Sequence, residues 1–466
     1  MILFGIENNL NCFCIFQGNI FNFLYKHRNT LVKDNMTNQR KQKFDIIKDK
    51  FTHSEISIDE LEKPLLHIIN VPKSSLIKDS RIIQEFKTNA FSGPPKSKVS
   101  SAMEKCIAEE KLEAANYWAF QLLLSGLSIN LWNKLLNISI KQINIANPTL
   151  PIFLLNRTKK WEEICHQKEY QKKQALNIRN NQEIRNMLIE LVSILTLSRK
   201  RKMEGMPKIK PEDYSLDVFR KKLEATSTED VNYVLKENDP SEIRIAANEF
   251  MYQLKKKNIN KSLYWLGWML EWEKINTRKY KIYKVSNRYK EGIDHKFSHN
   301  LIWLVWDIID FVKKGDYALD FNAHKQLNAL WELYAMNFNM GSRSRKLIFV
   351  LWTIKILTTR IDWKLPLIER EELFFHAVAN VNLMVQKIKP DEVNKGIYKD
   401  RKFKIMIQNN YISPEKKNQM IDEDRRKQME KQKLQRIKEA KKKKISMNSL
   451  DKIDMLKRMD KYYNQI

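Results

Sequence analysis

Residues 101–126 read SAMEKCIAEEKLEAANYWAFQLLLSG, and their spacing decides the fold class. Ile107, Leu112, Ala115, Trp118, Ala119, Leu122 and Leu123 recur at intervals of three and four, the period of an amphipathic helix. Ser125 and Gly126 then supply a stop. Outward from this stretch the pattern continues. NLWNKLLNISI at 130–140 opens a further helix that Asn147 and Pro148 end. YWLGWMLEW at 264–272 and LIWLVWDIIDF at 301–311 are apolar on most faces, so both helices are expected to lie centrally. Only 10 Gly and 12 Pro occur in 466 residues, too few for the frequent turns of a β-sandwich or barrel. The expected class is all-α, a multi-helix array of helical hairpins with a basic helical or disordered tail.

Composition shifts divide the chain. Residues 1–98 read as a polar, variable N-terminal segment ending in the linker SGPPKSK at 92–98, and 99–200 as a first helical domain. Residues 201–240 read as a basic linker, 241–390 as a second helical domain, and 391–466 as a basic tail. The extreme N-terminus is apolar but interrupted by Glu7, Asn8, Asn9 and Asn11, without the pattern of a signal peptide or membrane span, and Met36 is an alternative start. An internal echo links the two helical blocks: with Tyr117–Trp118 laid on Tyr264–Trp265, Glu110 and Lys111 fall on Lys257 and Asn258.

Lys and Arg number 84 against 55 Asp and Glu, giving a formal charge of +29, which predicts attraction to polyanions. The excess concentrates in two places. Arg199, Lys200, Arg201 and Lys202 form one cluster; Arg425, Arg426, Lys427, Lys441, Lys442, Lys443 and Lys444 form the other. These are the expected nucleic-acid contacts, binding phosphates without reading bases. Trp118, Trp265, Trp268, Trp303 and Trp306, set at helical spacing among Leu and Ile, are assigned to the core instead of to base stacking.

Catalytic patterns are missing from the sequence. No Gly opens a GxxxxGK[ST] run, and the prolines at 94 and 95 spoil the one superficial likeness. Neither HExxH nor GxSxG occurs. Cys12, Cys14, Cys106 and Cys165 make no paired zinc knuckle. Cys165 and His166 are neighbours on a helix and so diverge by about 100°. His295 and His299 read as solvated or capping residues, and His376 as a hydrogen-bonded core histidine. Glu371 and Glu372 suit the first turn of a helix. The expectation is a non-enzyme with no cofactor and no metal.

The stretch 101–126, followed by LWNKLLNISIKQINIANP at 131–148, resembles the helical C-terminal region of clamp-loader-like AAA ATPases of the bacterial replication-associated recombination type. This implies a collar-like module for oligomerisation or docking. Lys141 and Gln142 stand where that family favours an acidic pair, and no ATPase module precedes the region. With LPIFLLNR at 150–157, LSRKRK at 197–202, WLGWMLEWE at 265–273 and LIWLVWD at 301–307, the chain also resembles an uncharacterised family of nucleocytoplasmic large DNA viruses. The resemblance implies an intracellular accessory factor of viral DNA replication or late gene expression, in the host cytoplasm or the virion. Its expected partners are DNA, bound non-specifically, and replication or transcription proteins, with a homo-oligomer left open. The alternative expectation is a structural, virion-associated protein that neutralises DNA.

Overall fold

The stretch 101–126 folds into a hairpin of α1 (Lys96–Ala108) and α2 (Leu112–Leu124) in a computed structural model of the chain, which describes residues 71–280, 285–316 and 319–393. Its turn is a Schellman closure: the Lys111 amide donates to Cys106 O at 2.9 Å while Glu110 adopts a left-handed φ of 59°. Gly126, at φ 75°, ends the second helix after the Ser125 C-cap.

Three helices complete the first block. They are α3 (Ser128–Ile138), α4 (Leu150–Cys165) and α5 (Gln182–Leu197). Asn181 caps α5 by accepting from the Ile184 amide at 2.9 Å. α5 is buried along almost its whole length and forms the axis on which α1, α2 and α12 pack. Two polar contacts lie inside it: Glu190 pairs with Arg157 at 3.0 Å, and Asn116 Nδ2 donates to Ser193 Oγ at 3.3 Å.

A short α6 (Leu216–Arg220) leads to the second hairpin, α7 (Arg244–Lys255) and α8 (Ile259–Tyr280). Three further helices follow, α9 (Leu301–Gly315), α10 (Phe321–Ala335) and α11 (Met340–Thr358), each with a side-chain cap, from Asn300, Asp320 and Asn339 respectively. The last pair is α12 (Glu371–Ala379) and α13 (Val381–Ile388). The described residues thus hold thirteen α-helices and no strand, an all-α fold.

Helices from the two sequence blocks interleave within one compact unit. α10 packs on α4, where the Ile152 amide donates to Gln326 Oε1 at 3.1 Å, and α12 packs on α5. Asn147 Nδ2 donates to Leu367 O at 2.9 Å. The segment before α1, read from sequence as polar and variable, is packed from residue 71 onward: Ile77, Phe86, Ala90 and Phe91 are buried. It meets the end of the described chain, with the Ser80 amide donating to Val393 O at 3.1 Å and Arg81 Nη2 to Asp391 O at 3.3 Å. Alternation of small apolar clusters with charges hid this contact, because the partner lies some 300 positions away in a different helix pair.

The tryptophans follow the expected pattern with one exception. Trp265, Trp268, Trp303 and Trp306 are buried, whereas Trp118 is only half-buried and stacks edge-on with Tyr117 at 5.1 Å.

Candidate functional site

An open groove of about 1000 Å³ lies between the strap 206–209, α8, the 296–300 turn and the start of α11. Its floor is apolar, from Met206, Ile209, Leu270, Phe297 and Leu347. The strap crosses close over Gly267, where an added Cβ would lie 3.5 Å from Pro207 O and 3.6 Å from Ile209 Cδ1. Lys208, Lys274, Arg278, Lys296 and Arg343 surround this floor. Five cations from four separate elements therefore converge on one surface.

The carboxylates there are already engaged. Glu273 Oε1 accepts from the Leu301 amide at 3.2 Å at the N-terminus of α9, and its Oε2 lies 2.5 Å from Arg343. Glu271 pairs with Lys274 at 2.7 Å, and Asp294 with Lys296 at 2.5 Å. Lys208 and Arg278 are exposed and make no ion pair among the described residues. The field in the groove is consequently positive, with two cations free to meet an anion.

The cluster 199–202 is held against the helices, not extended from them. The Arg201 amide donates to Gln142 O at 2.6 Å, the Met203 amide to Lys141 O at 3.0 Å, and Asn144 Nδ2 to Arg201 O at 2.5 Å. Arg199 Nε lies 3.0 Å from Glu369 with most of its side chain exposed. Arg201 and Lys202 point their charges to solvent. Lys200 turns back onto the end of α5, where its Nζ donates to Thr196 O at 2.8 Å and Ser198 O at 2.6 Å. Burial pulls its ammonium down to about 8. Lys355, also buried, anchors the following turn through Glu204 at 2.5 Å. Downstream, Tyr214, Phe219 and Val231 are buried, so the stretch read as a basic linker is a packed strap. The cluster Arg425, Arg426, Lys427 and Lys441–Lys444 lies outside the described residues.

Other sequence candidates resolve as structural groups. Burial raises the Cys165 thiol to about 11, and its Sγ sits 3.9 Å from Ser128 Oγ. His166 is exposed, with Nδ1 2.7 Å from Glu162 O in its own helix, so the neighbours form no nucleophile–base pair. His295 lies 3.2 Å from Asn287 Nδ2 and His299 Nδ1 lies 3.0 Å from Val285 O. His376 corrects the expectation of a core histidine: it is exposed beside Asn380, because the apolar face of α12 is carried by Phe374, Phe375 and Val378. Glu371 and Glu372 occupy the first turn of α12 as the dipole argument expects. Among the described residues no group of His, Cys, Asp and Glu could hold a metal ion, and no helix is long and apolar enough to cross a membrane.

Sequence reasoning located Lys208 within a basic run but missed Lys274, Arg278, Lys296 and Arg343, which are spread over three elements far apart in sequence. Charge is nevertheless consistent with their weight: residues 71–393 hold 53 Lys and Arg against 37 Asp and Glu, and 394–466 hold 22 against 10, so the larger excess belongs to the helical unit. No protein family, curated protein or solved structure matches the chain.

Proposed function

We propose that the chain is a non-enzymatic helical scaffold that binds a nucleic-acid strand along the groove between the 206–209 strap, α8 and α11. The carrying observation is the convergence of Lys208, Lys274, Arg278, Lys296 and Arg343 around an apolar floor, with Lys208 and Arg278 free of carboxylate partners among the described residues. Cations on a groove track a phosphate backbone and release its counterions, while an apolar floor accepts sugars and base faces without demanding a sequence. Such a role agrees with what the resemblance to an uncharacterised family of large DNA viruses implies. Arg199, Arg201 and Lys202 present further charge on the strap and extend the same path.

The test is the salt dependence of binding to an unrelated single-stranded oligonucleotide, measured for the full chain and for the double variant Lys208→Glu, Arg278→Glu. Both positions are exposed, so folding should be unaffected. Loss of two phosphate contacts should flatten the log–log salt slope by roughly 1.4, at about 0.7 per contact on a single strand. An unchanged slope and affinity would remove the groove from consideration.

A further inference from the structure

A second pocket, of about 340 Å³, opens between the 289–291 turn, α9 and α10. Its walls carry three aromatic rings: Tyr289, Trp306 and Trp331. Trp306 and Trp331 meet edge to face, with centroids 5.0 Å apart at 73°, and Tyr289 is 65% exposed at the mouth.

The lysines around these rings are paired with carboxylates, and exposed Glu291 adds a further negative charge at the rim. Lys290 lies 2.5 Å from Asp307 and its ammonium is 5.6 Å from the Trp331 ring centre. Lys313 and Lys314 both pair with Asp310, at 3.1 and 2.7 Å, and Lys313 also donates to Asn328 Oδ1 at 2.9 Å. A simple anion would find no free cation here and would meet Glu291 at the rim. What remains for a ligand is ring surface bordered by amide and ion-pair dipoles. Those features suit a flat, polar-edged heterocycle, and the volume is at the small end of ligand pockets, about 300 to 1000 Å³.

The pocket is also tied to the groove. The turn that supplies Lys296 and Phe297 to the groove begins with Tyr289 and Lys290, and α11 lends Arg343 to the groove and Thr353 to the pocket. Buried Arg288 fixes that turn, donating from Nε to Asp307 at 2.8 Å and from Nη1 to Asp239 at 2.8 Å. The backbone that carries Tyr289 is thereby anchored at its neighbour.

We propose that the pocket lined by Tyr289 and Trp331, with buried Trp306 as its backing, receives a single unpaired nucleobase, stacked on the Tyr289 and Trp331 rings, from the strand whose backbone follows the groove; this rests on the groove reading above. Stacking on aromatic side chains tolerates any base, since each has a π-face. The pocket would thus make the protein favour single-stranded over fully paired nucleic acid.

The test uses adenosine monophosphate as the probe, with saturation transfer from the full chain to its base protons. Transfer is expected in the wild type, lost in Tyr289→Ala and Trp331→Ala, and kept in Lys208→Glu, Arg278→Glu. Exposed Tyr289 can be truncated without disturbing the core, so a folding defect in Trp331→Ala would not decide the matter alone. In parallel, Tyr289→Ala should weaken binding to a single strand by about tenfold while leaving the salt slope unchanged. Absence of transfer in the wild type, its persistence in Tyr289→Ala, or displacement of the nucleotide by a trimethyllysine peptide would overturn the pocket assignment. Failure of the groove would show separately, as an unchanged salt slope in the charge-reversal variant.

Discussion

Glu110 and Lys257 occupy the same place in two hairpins 147 positions apart, with left-handed φ angles of 59° and 56°. The hydrogen bonds around them match one for one. Glu109 to Lys105 and Lys111 to Cys106, both 2.9 Å, answer Lys256 to Tyr252 and Asn258 to Gln253, also both 2.9 Å. One turn into the second helix, Tyr117 meets Trp118 at 5.1 Å and 78°, as Tyr264 meets Trp265 at 5.2 Å and 80°. The echo read from sequence is therefore a shared backbone device as well as a shared dipeptide.

A non-glycine residue in this conformation is strained by its Cβ. Replacing Lys257 by Gly should raise unfolding free energy by roughly 0.5 to 1 kcal/mol, less the small contribution of its half-exposed ion pair with Asp316. Lys257→Val should lower it by a similar or larger amount. Urea midpoints at constant m-value measure both; a destabilising glycine would mean that the ion pair outweighs the backbone strain.

Trp265 and Trp268 are each 1% exposed, packed against Phe219 at 5.4 and 5.5 Å. Truncating either to Ala should cost roughly 3 to 5 kcal/mol through lost transfer energy and a residual cavity. Because the Phe219 contact also holds the strap, the variants should expose residues 203–220 to limited proteolysis before global unfolding. Wild-type melting temperatures combined with lost strand binding would reassign these rings to stacking.

The helical hairpins were legible because a period of three and four survives in local sequence: Ile107 to Leu123 states its buried face without help from any partner. The groove was not legible for the opposite reason. Lys208, Arg278, Lys296 and Arg343 lie in four elements far apart in sequence, and the packing of α8 on α11 brings them together. Lys200 shows a further limit. Composition presented it as a member of a solvent-facing run, but a lysine just beyond a helix end has unsatisfied carbonyls within reach, and it takes them.

Arg185 is fully buried and faces no carboxylate; burial lowers its guanidinium to about 10. It is held by oxygen acceptors instead: Arg179 O at 2.7 Å, Asn180 Oδ1 at 3.0 Å, and Ser75 O and Asn382 Oδ1 at 3.1 Å each. Asn180 Oδ1 and Asn382 Oδ1 keep donors in the Ile77 amide and Ser75 Oγ, but Arg185→Met should strip this donor from the Arg179 and Ser75 carbonyls and destabilise by about 3 kcal/mol, with early protease cleavage near residue 75. Arg185→Lys should rescue little, since one ammonium cannot span the fork. Full rescue by Lys would show that charge, not the planar donor array, closes the chain.

Residues 421–466 contribute 15 Lys and Arg against 8 Asp and Glu, and the stretch 425–444 contains only two acids, Glu430 and Glu439. Its apolar residues are too few for a continuous stripe, so deletion of 421–466 should change the melting temperature little while flattening the salt slope of DNA affinity. The loss should be alike for unrelated sequences, because phosphate contacts carry no base information. Combining the deletion with Lys208→Glu, Arg278→Glu should add the two slope changes, as expected for contacts to different phosphates. An unaltered slope in the deletion, with the groove variant still effective, would assign the phosphate contacts to the helical unit alone. The charge beyond residue 421 would then serve another partner, and the strap from Arg199 to Lys208 would be the principal electrostatic path into the groove.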